Sequence, residues 1–227
     1  MKIDIRNIRK KYSRRRILTD ISLPASAGEM IGIVGQNGCG KSTLLKILTG
    51  VLPADGGEFL YEDGGRSANL LHDSTLRSKV IGYVPQTTPL MDELTAKDNL
   101  RLWYTGRSSL KEELEDGVLK RLGVDEFLKT PVYKLSGGMK KRLSIGCAVA
   151  HHPKILLLDE PGAALDLVCK KIITDYLNEF CESGGIALIA SHEIQEIAAC
   201  SRSVILKDGI LHDCDFDGDV DRLISEL

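Results

Sequence analysis

"GQNGCGKST", residues 35–43, decides the fold. The stretch satisfies the pattern G-x-x-x-x-G-K-[ST]. It lies between the short apolar segment "EMIGIVG" and the segment "KSTLLKILT", whose apolar residues have helical spacing. Gly35, Gly38 and Gly40 let the backbone curl so that its N–H groups face inward, and a helix N-terminus adds partial positive charge there. The stretch therefore predicts a phosphate-binding loop between a buried strand and a helix. A chance glycine-rich turn is the alternative, and the complete motif in its complete context disfavours it.

Two side chains at the end of this loop carry chemistry. Lys41 is placed to reach the β- and γ-phosphates of a nucleotide, and the hydroxyl of Ser42 can coordinate Mg²⁺. A site that holds both phosphate and Mg²⁺ also needs a carboxylate opposite the lysine, so an acidic residue is expected at the end of another strand.

The apolar segment "KILLLDE" supplies that carboxylate at Asp159 and Glu160. Ligands of open parallel sheets bind at the carboxyl ends of the strands. We therefore expect Asp159 to hold Mg²⁺ through a water, and Glu160 to orient or deprotonate a water near the γ-phosphate. The alternative is that two acids only end a strand and cap the next helix. That pattern is weak alone and strong beside a phosphate loop.

The rest of the chain predicts an α/β fold with a P-loop NTPase core. "VIGYVPQ", "GIALIAS" and "SVILKDG" look like further strands, and "VCKKIITDYLNEF" like a helix with a buried stripe at Val168, Ile172, Tyr176 and Phe180. This alternation predicts a mostly parallel sheet. The N-terminal segments "MKIDIRNIRKKY" and "RRILTDISL" alternate, which predicts an antiparallel β subdomain near an edge.

Residues 90–150 contain three segments of helical spacing and no convincing strand. We interpret them as a helical insert. The predicted division is therefore one discontinuous nucleotide-binding core, residues 1–86 and 153–227, and a helical subdomain, residues 87–152, that carries the motif "LSGG".

Composition sets outer limits. The 227 residues allow one domain with a small insert, and 30 basic against 32 acidic residues give a net charge of −2, so no nucleic-acid partner is expected. The longest apolar run, Ile186 to Ala190, is far shorter than a membrane span. The N-terminus reads as a strand and not as a signal peptide. Six cysteines without a CxxC pair are expected to be reduced thiols of a cytosolic protein.

The order of the motifs resembles a known family. "GQNGCGKST", "LSGGM", "ILLLDEP", "AALD" and "ASHE" occur in the order found in the ATP-binding subunits of ABC (ATP-binding cassette) transporters. The resemblance extends from Tyr12 to about Gly209. P-loops occur in many families, and the combination with "LSGG" makes the assignment specific. The resemblance implies an ATPase that uses ATP and Mg²⁺.

The motif "LSGG" implies a second chain. Ser136, Gly137 and Gly138 are expected to begin a helix, whose N–H groups form an anion site. In the family this site faces the γ-phosphate held by the P-loop of another subunit, so two chains close head to tail around two ATP molecules, as a homo- or heterodimer. The alternative is an ordinary helix N-terminus with a serine cap, which also predicts a helix here.

The resemblance extends to single positions. Tyr12 matches an aromatic that stacks on adenine, although it could be a surface aromatic with Arg14–Arg16 contacting the base. Gln86 matches a residue that touches Mg²⁺ and the attacking water, His192 matches the histidine at the γ-phosphate, and Asp166 matches an aspartate that crosses the dimer interface beside Glu160. Together the motif and the resemblance assign nucleotide binding to Tyr12, Gly35, Asn37, Gly38, Cys39, Gly40, Lys41, Ser42, Thr43, Ser136, Gly137, Gly138 and Asp166; catalysis to Lys41, Gln86, Glu160 and His192; and metal binding to Ser42, Gln86 and Asp159.

Three departures from the family pattern leave these ligands in place. Met139 follows "LSGG" where Gln is commoner, "PGAALD" replaces "PTSGLD", and Cys39 replaces Ala or Ser. "LSGGMKKRL" resembles exporter-type cassettes, including those that work with ABC-2 type permeases. Lys140, Lys141 and Arg142 are expected to form a solvated helix face with a minor packing role.

The implied partners are a second ATP-binding subunit and separate membrane-spanning permease subunits. The expected location is the cytoplasmic face of the membrane. Residues 87–110 are the expected docking surface, where Leu90 and Met91 are either partner contacts or core residues of the insert. The alternative function is a soluble ABC ATPase that acts in cofactor assembly or on a macromolecular complex. A single compact cassette, without a second cassette or a coiled-coil insert, favours transport.

Overall fold

The computed structural model describes residues 1–105, 110–214, 216 and 223. Within them, ten strands form one sheet in the order β5-β4-β1-β2-β10-β9-β3-β8-β7-β6. The strands are β1 Lys2–Tyr12, β2 Arg15–Ser26, β3 Met30–Val34, β4 Gly56–Asp63, β5 Arg66–Asn69, β6 Ile81–Val84, β7 Ile155–Asp159, β8 Ile186–Ala190, β9 Arg202–Lys207 and β10 Ile210–Cys214.

The centre of the sheet is parallel, as the sequence predicts. Strands β9, β3, β8, β7 and β6 pair parallel to one another in that order. Strands β3, β7 and β8 are buried at every position. The reason is visible in β7, where Ile155 and Leu157 pack in one apolar cluster and Leu156 and Leu158 pack in another, on the opposite face. A strand covered on both faces reads as a continuous apolar run.

The N-terminal strands form the antiparallel edge. Strand β1 pairs antiparallel with β2 and β4, and β4 pairs with β5. The sequence does not predict β4 and β5, because Gly56 and Gly57 read as a break. Gly57 has φ +103, and a Cβ there would lie 2.5 Å from the carbonyl oxygen of Asn7. Glycine therefore stands here because strand β1 approaches too closely for a side chain.

Eight α-helices accompany the sheet within the described residues. They are α1 Lys41–Leu48, α2 Ser74–Val80, α3 Ala96–Trp103, α4 Leu110–Glu115, α5 Val118–Arg121, α6 Gly137–Ala148, α7 Leu167–Glu182 and α8 Ile194–Ala199. The sequence does not predict α2, which begins where the side chain of Asp73 caps the N–H of Leu76 at 2.8 Å. None of these helices is long and apolar enough to cross a membrane.

The described part of residues 87–152 contains helices α3 to α6 and two 3₁₀ turns, Val124–Phe127 and Val132–Lys134. No strand lies there among the described residues; an isolated bridge joins Thr95 and Pro131. The segment "LKEELEDGVLKRL", expected to be one helix, forms α4 and α5 with a break between them. The boundaries of the predicted division stay a prediction. Residues 106–109, and residues 215, 217–222 and 224–227 of the predicted core, lie outside the described residues.

Helix α7 corrects one sequence prediction. Val168, the first residue of the predicted stripe, is 69% exposed. The buried residues are Cys169, Ile173, Tyr176, Leu177 and Cys181. A helix turns once in about 3.6 residues, so a row at four-residue steps drifts about 40° per step. The predicted row therefore begins on the exposed face at Val168 and reaches the buried face at Tyr176, whereas the buried residues follow mixed steps of three and four.

Candidate functional site

Residues 35–40 form a tight loop between β3 and α1. Gly38 and Gly40 have φ +79 and +120, which side chains rarely adopt. At Gly35 a Cβ would lie 2.6 Å from the carbonyl oxygen of Leu206. Lys41 begins α1, is buried, and donates from Nζ to the carbonyl oxygens of Gly35 at 2.5 Å and Gln36 at 3.2 Å. The lysine charge is therefore held inside the curl of the loop, while Thr43 lies half-buried in the first turn of the helix.

A cavity of about 600 Å³ lies beside this loop. Its walls come from three parts of the chain: residues 15–17 and 19 of β2, residues 36–39 of the loop, and residues 206–209 at the end of β9 and in the turn after it. Asn37, Gly38 and Cys39 therefore face the cavity, as does a basic set of side chains, Arg15, Arg16 and Lys207. Its position and its basic lining suit a polyphosphate.

Tyr12 lies at the end of β1, opposite Arg15 in the register of the hairpin. The side chain is 45% exposed, and the Nζ atom of Lys10 lies 5.7 Å from the centre of its ring. It is not among the residues that line the cavity, whereas Arg15 and Arg16 are. The structure thus places the alternative base contacts nearer to the loop than the predicted aromatic, whose role stays a prediction.

A contact between Ser42 and Asp159 joins helix α1, which follows the loop, to the end of β7. The Ser42 hydroxyl donates to Oδ1 of Asp159 at 3.0 Å. Asp159 ends β7 and is only 2% exposed. Burial raises the pKa of this carboxyl above its ordinary value, and the hydrogen bond from Ser42 opposes that shift. The pair places a buried carboxylate oxygen and a hydroxyl oxygen within one ligand sphere.

Glu160 is held by residues from both neighbouring strands. The side-chain amide of Gln86, after β6, donates to Oε2 of Glu160 at 2.8 Å, and Nδ1 of His192, after β8, lies 3.4 Å from Oε1. Strands β6, β7 and β8 are parallel neighbours, so their carboxyl ends meet at one edge. Glu160 itself has φ +48, a left-handed conformation uncommon for a residue with a side chain. This bend turns its carboxylate out of the strand direction.

The predicted second anion site lies at the start of α6. The Ser136 hydroxyl accepts the N–H of Met139 at 3.2 Å, and Asp166 caps α7 in the same way by accepting the N–H of Cys169 at 2.8 Å. That hydrogen bond lowers the pKa of Asp166. A Cβ at Gly138 would lie 3.9 Å from Oδ2 of Asp166, so the two helix starts are adjacent. Ser136 and the two glycines after it do not line the cavity beside the P-loop.

The model of the ABC transporter family matches residues 18–163 of the chain. The chain belongs to the ABC transporter family. It is an ATP-binding subunit of this family, and its domain is the family's ATPase domain.

Relatives match this ABC cassette over most of its length. It is 32% identical over 211 residues to the lipopolysaccharide export system ATP-binding protein LptB of Escherichia coli K12, covering 91% of the chain and 87% of the relative. It is 34% identical over 210 residues to the linearmycin resistance ATP-binding protein LnrL of Bacillus subtilis, covering 89% and 65%.

Solved structures of ABC cassettes share the fold. The dimeric structure of the bacterial ABC transporter cassette MJ0796 has a TM-score of 0.77 and 32% identity, covering 92% of this chain and 96% of that one. A dimeric post-hydrolysis state of MJ0796 bound to ADP and Pi has a TM-score of 0.77 and 30% identity, with the same coverage. The α/β fold predicted from the sequence is confirmed.

The cassette differs from the sequence prediction on helix α6. Lys141 and Arg142 were expected on a solvated face, and both are buried. Lys141 donates from Nζ to the carbonyl oxygens of Pro85 and Gln86, each at 3.2 Å. Arg142 donates to the carbonyl oxygen of Leu122 at 2.9 Å, and its guanidinium lies 5.3 Å from the centre of the Phe127 ring. The expectation was wrong because α6 is covered on almost every side, and long basic side chains bury their stems where carbonyls receive the charge.

No role was predicted from the sequence for Ser191 and Glu196, which lie one residue before and four residues after His192 in this cassette. The Ser191 hydroxyl donates to Oε2 of the buried Glu196 and accepts the N–H of Glu193 at 2.9 Å. Burial raises the pKa of Glu196, and the bond from Ser191 opposes that shift. These contacts fix the turn that carries His192. The available signal was a serine next to the histidine with an acid five residues later, which is too common to interpret without a structure.

Proposed function

We propose that the chain binds ATP with Mg²⁺, hydrolyses it in a head-to-tail pair of cassettes, and thereby drives export through separate membrane-spanning subunits. One observation carries the proposal. Ser42 meets Asp159, and Gln86 and His192 meet Glu160, at the edge of the sheet where Lys41 begins its helix. Three strand-end segments and the start of α1 thus bring together part of the expected set, namely Lys41, Ser42, Gln86, Asp159, Glu160 and His192.

The triphosphate would lie along the P-loop. Inward N–H groups of residues 35–40 and the start of α1 favour anions, and Lys41 already directs its ammonium into the curl. The cavity beside the loop leaves room for the nucleoside, with Arg15 or Arg16 available to the base. Tyr12 remains our proposed stacking residue on the rim of the same hairpin.

The residues present fit Mg²⁺. Ser42 and Asp159 offer hard oxygen donors 3.0 Å apart, and Gln86 adds an amide oxygen at the neighbouring strand end. Mg²⁺ is commonly bound by one or two protein carboxylates together with substrate phosphates. When bound, the ion would neutralise phosphate charge and orient the β- and γ-phosphoryl oxygens.

Glu160 would orient the attacking water and take its proton. The water oxygen bonds to the γ-phosphorus, the bond to the bridging oxygen breaks, and the electron pair leaves with ADP. Gln86 and His192 each contact one carboxylate oxygen of Glu160, which fixes the direction of the carboxylate before water arrives. Lys41 would compensate the charge that develops on the phosphates.

A second cassette would complete the site. Ser136 and Gly137 are exposed at the start of α6, where helix N–H groups can receive a phosphate from another chain. Asp166 lies beside them and would cross the same interface. Relatives of known structure support this arrangement, since the MJ0796 cassette, 32% identical, is dimeric. ATP would then join two chains, and its hydrolysis would release them.

The helical region offers a surface for a membrane partner. Met91 is 56% exposed, and Leu102 and Trp103 are exposed at the end of α3. Leu90 packs instead against the core cluster of this region, which supports its structural alternative. Residues 106–109 of the predicted docking range 87–110 lie outside the described residues. The proposal of export follows the name of LptB, while the name of LnrL indicates linearmycin resistance and another relative is a spermidine/putrescine import protein. Docking would hold the chain at the cytoplasmic face of the membrane.

Glu160→Gln tests the proposal. The variant should bind ATP with unchanged affinity, lose about 100-fold or more of its turnover, and elute as a dimer in ATP and Mg²⁺. Asp175→Asn is the matched control, because Asp175 is an exposed carboxylate on α7 that pairs with Lys171 at 2.8 Å. Normal turnover of Glu160→Gln would refute the catalytic role. A slow variant that stays monomeric at saturating ATP and Mg²⁺ would refute the two-chain site.

A further inference from the structure

The ammonium of Lys141 occupies a place where lysines are rare. Lys141 lies in the second turn of α6 and is only 5% exposed. A buried charge persists only where partners compensate it. Here two carbonyl oxygens, of Pro85 and Gln86, accept from Nζ at 3.2 Å. Burial lowers the pKa of Lys141, and the carboxylates of Asp159, Glu160 and Glu196 oppose that shift.

The two carbonyls belong to the segment that carries Gln86 out of the sheet. The parallel ladder between β6 and β7 ends with Val84 opposite Leu158. Pro85 and Gln86 continue beyond that ladder, and Lys141 contacts the backbone of both. The contact joins helix α6 to the first two residues after the strand.

Gln86 is consequently held at both ends. Its carbonyl oxygen accepts from Lys141 at 3.2 Å, and its side-chain amide donates to Glu160 at 2.8 Å. Since the segment after β6 has no strand partner to fix it, its backbone position depends on contacts of this kind. A shift of about 1 Å in a positioning contact can cost up to about 100-fold in rate.

We propose that Lys141 is a positioning residue for hydrolysis, which holds the backbone at Gln86 so that the Gln86 amide meets Glu160. The inference rests on the catalytic roles proposed for Gln86 and Glu160. Lys141 lies five residues after Ser136, about 7.5 Å along the helix axis. One rigid helix therefore links the anion site that would face a second chain to the residue that orients the catalytic carboxylate.

Lys141→Met tests the role, because methionine keeps the length of the side chain and removes its N–H donors. We expect kcat for ATP to fall about tenfold, with the KM for ATP changed less than about twofold, since the Lys141 ammonium donates to the carbonyls of Pro85 and Gln86, which lie outside the P-loop. Lys140→Met is the matched control. Lys140 precedes it on the same helix and pairs with Asp92 at 3.3 Å on the surface, so its replacement should leave kcat unchanged.

A double-mutant cycle separates positioning from packing. In a Gln86→Ala background the effect of Lys141→Met on kcat should vanish, because Lys141 then has no amide to position. An undiminished loss in that background, or a normal kcat of Lys141→Met alone, would overturn the inference. If Lys141→Met does not fold by circular dichroism, Lys141→Leu, which also removes the N–H donors, replaces it in both backgrounds with the same expected loss of kcat. Failure of both to fold while Lys140→Met folds would assign Lys141 to stability alone.

The proposed function and this inference fail separately. Normal turnover of Gln86→Ala or Glu160→Gln would remove the catalytic roles on which the inference rests. Slow turnover of both, together with a normal rate for Lys141→Met, would leave those roles intact and reject only the positioning by Lys141.

Discussion

Replacing Gly138 with alanine tests how helix α6 is seated on helix α7. Gly138 lies in the first turn of α6, buried against the first turn of α7. A Cβ there would lie 3.1 Å from Cβ of Cys169. It would lie closer still to Sγ of Cys169, at a distance that real Cβ atoms essentially never show. Cys169 is buried, and its Cβ stays at this distance whichever rotamer the sulfur adopts. The added methyl must therefore push the two helix starts apart.

The two opposing contributions can be compared. Overpacking a core contact costs about 1–3 kcal/mol, while the higher helix propensity of alanine returns at most about 1 kcal/mol. The clash is larger, so Gly138→Ala should lose about 1–2 kcal/mol in the free energy of unfolding. For a chain of this length each kcal/mol lowers Tm by about 2–4 °C, which gives a drop of roughly 2–8 °C.

The assay is thermal and urea unfolding of Gly138→Ala, Cys169→Ala and the double variant. Without the sulfur, Gly138→Ala should cost less than about 0.5 kcal/mol, so the coupling energy should be about 0.5–2 kcal/mol. Gly137→Ala is the control, because its nearest neighbour would be Cδ2 of Leu165 at 3.8 Å, an ordinary contact. Wild-type stability of Gly138→Ala, or an equal loss in the Cys169→Ala background, would refute the reasoning.

Two further predictions concern the metal and the partner. Burial raises the pKa of Asp159 above its ordinary value of 3.8. The nucleotide-free protein therefore loses stability as the pH rises from 3.8 through the raised pKa. At pH 7, Asp159→Asn should unfold in urea no more easily than wild type, and the difference in unfolding free energy between the two proteins should close as the pH falls toward 3.8. The same variant should need about tenfold more Mg²⁺ for half-maximal ATPase activity; lower stability with an unchanged Mg²⁺ requirement would contradict both statements. Met91→Asp should keep the ATPase activity of the isolated protein but lose co-purification with a multi-span membrane protein, whereas Val51→Asp, at an equally exposed apolar residue, should keep both. A membrane partner retained by Met91→Asp would place docking elsewhere.

The parts that the sequence predicts are those whose physics is local or repeated along a strand. The P-loop follows from its glycines, and the meeting of Gln86, Glu160 and His192 follows once their three strands are parallel neighbours. The missed parts depend on contacts between distant segments. Gly57 reads as a breaker until strand β1 is seen against it. Lys141 and Arg142 read as solvated until the rest of the protein covers α6.

The cavity beside the P-loop brings together residues of β2 and residues 206–209, which lie far apart in the sequence. The carbonyl oxygen of Gly209 accepts the N–H groups of Thr19 at 2.8 Å and Asp20 at 3.2 Å, and residues 206–209 form one wall. During synthesis, at about 5–20 residues per second, roughly 8–33 s pass between translation of residue 43 and of residue 209. For that interval a nascent polypeptide has its phosphate loop but lacks a wall of the cavity that we propose for the nucleoside. Full nucleotide capture therefore waits for the C-terminal strands, and a truncated product that ends before them cannot compete for ATP as the finished subunit does.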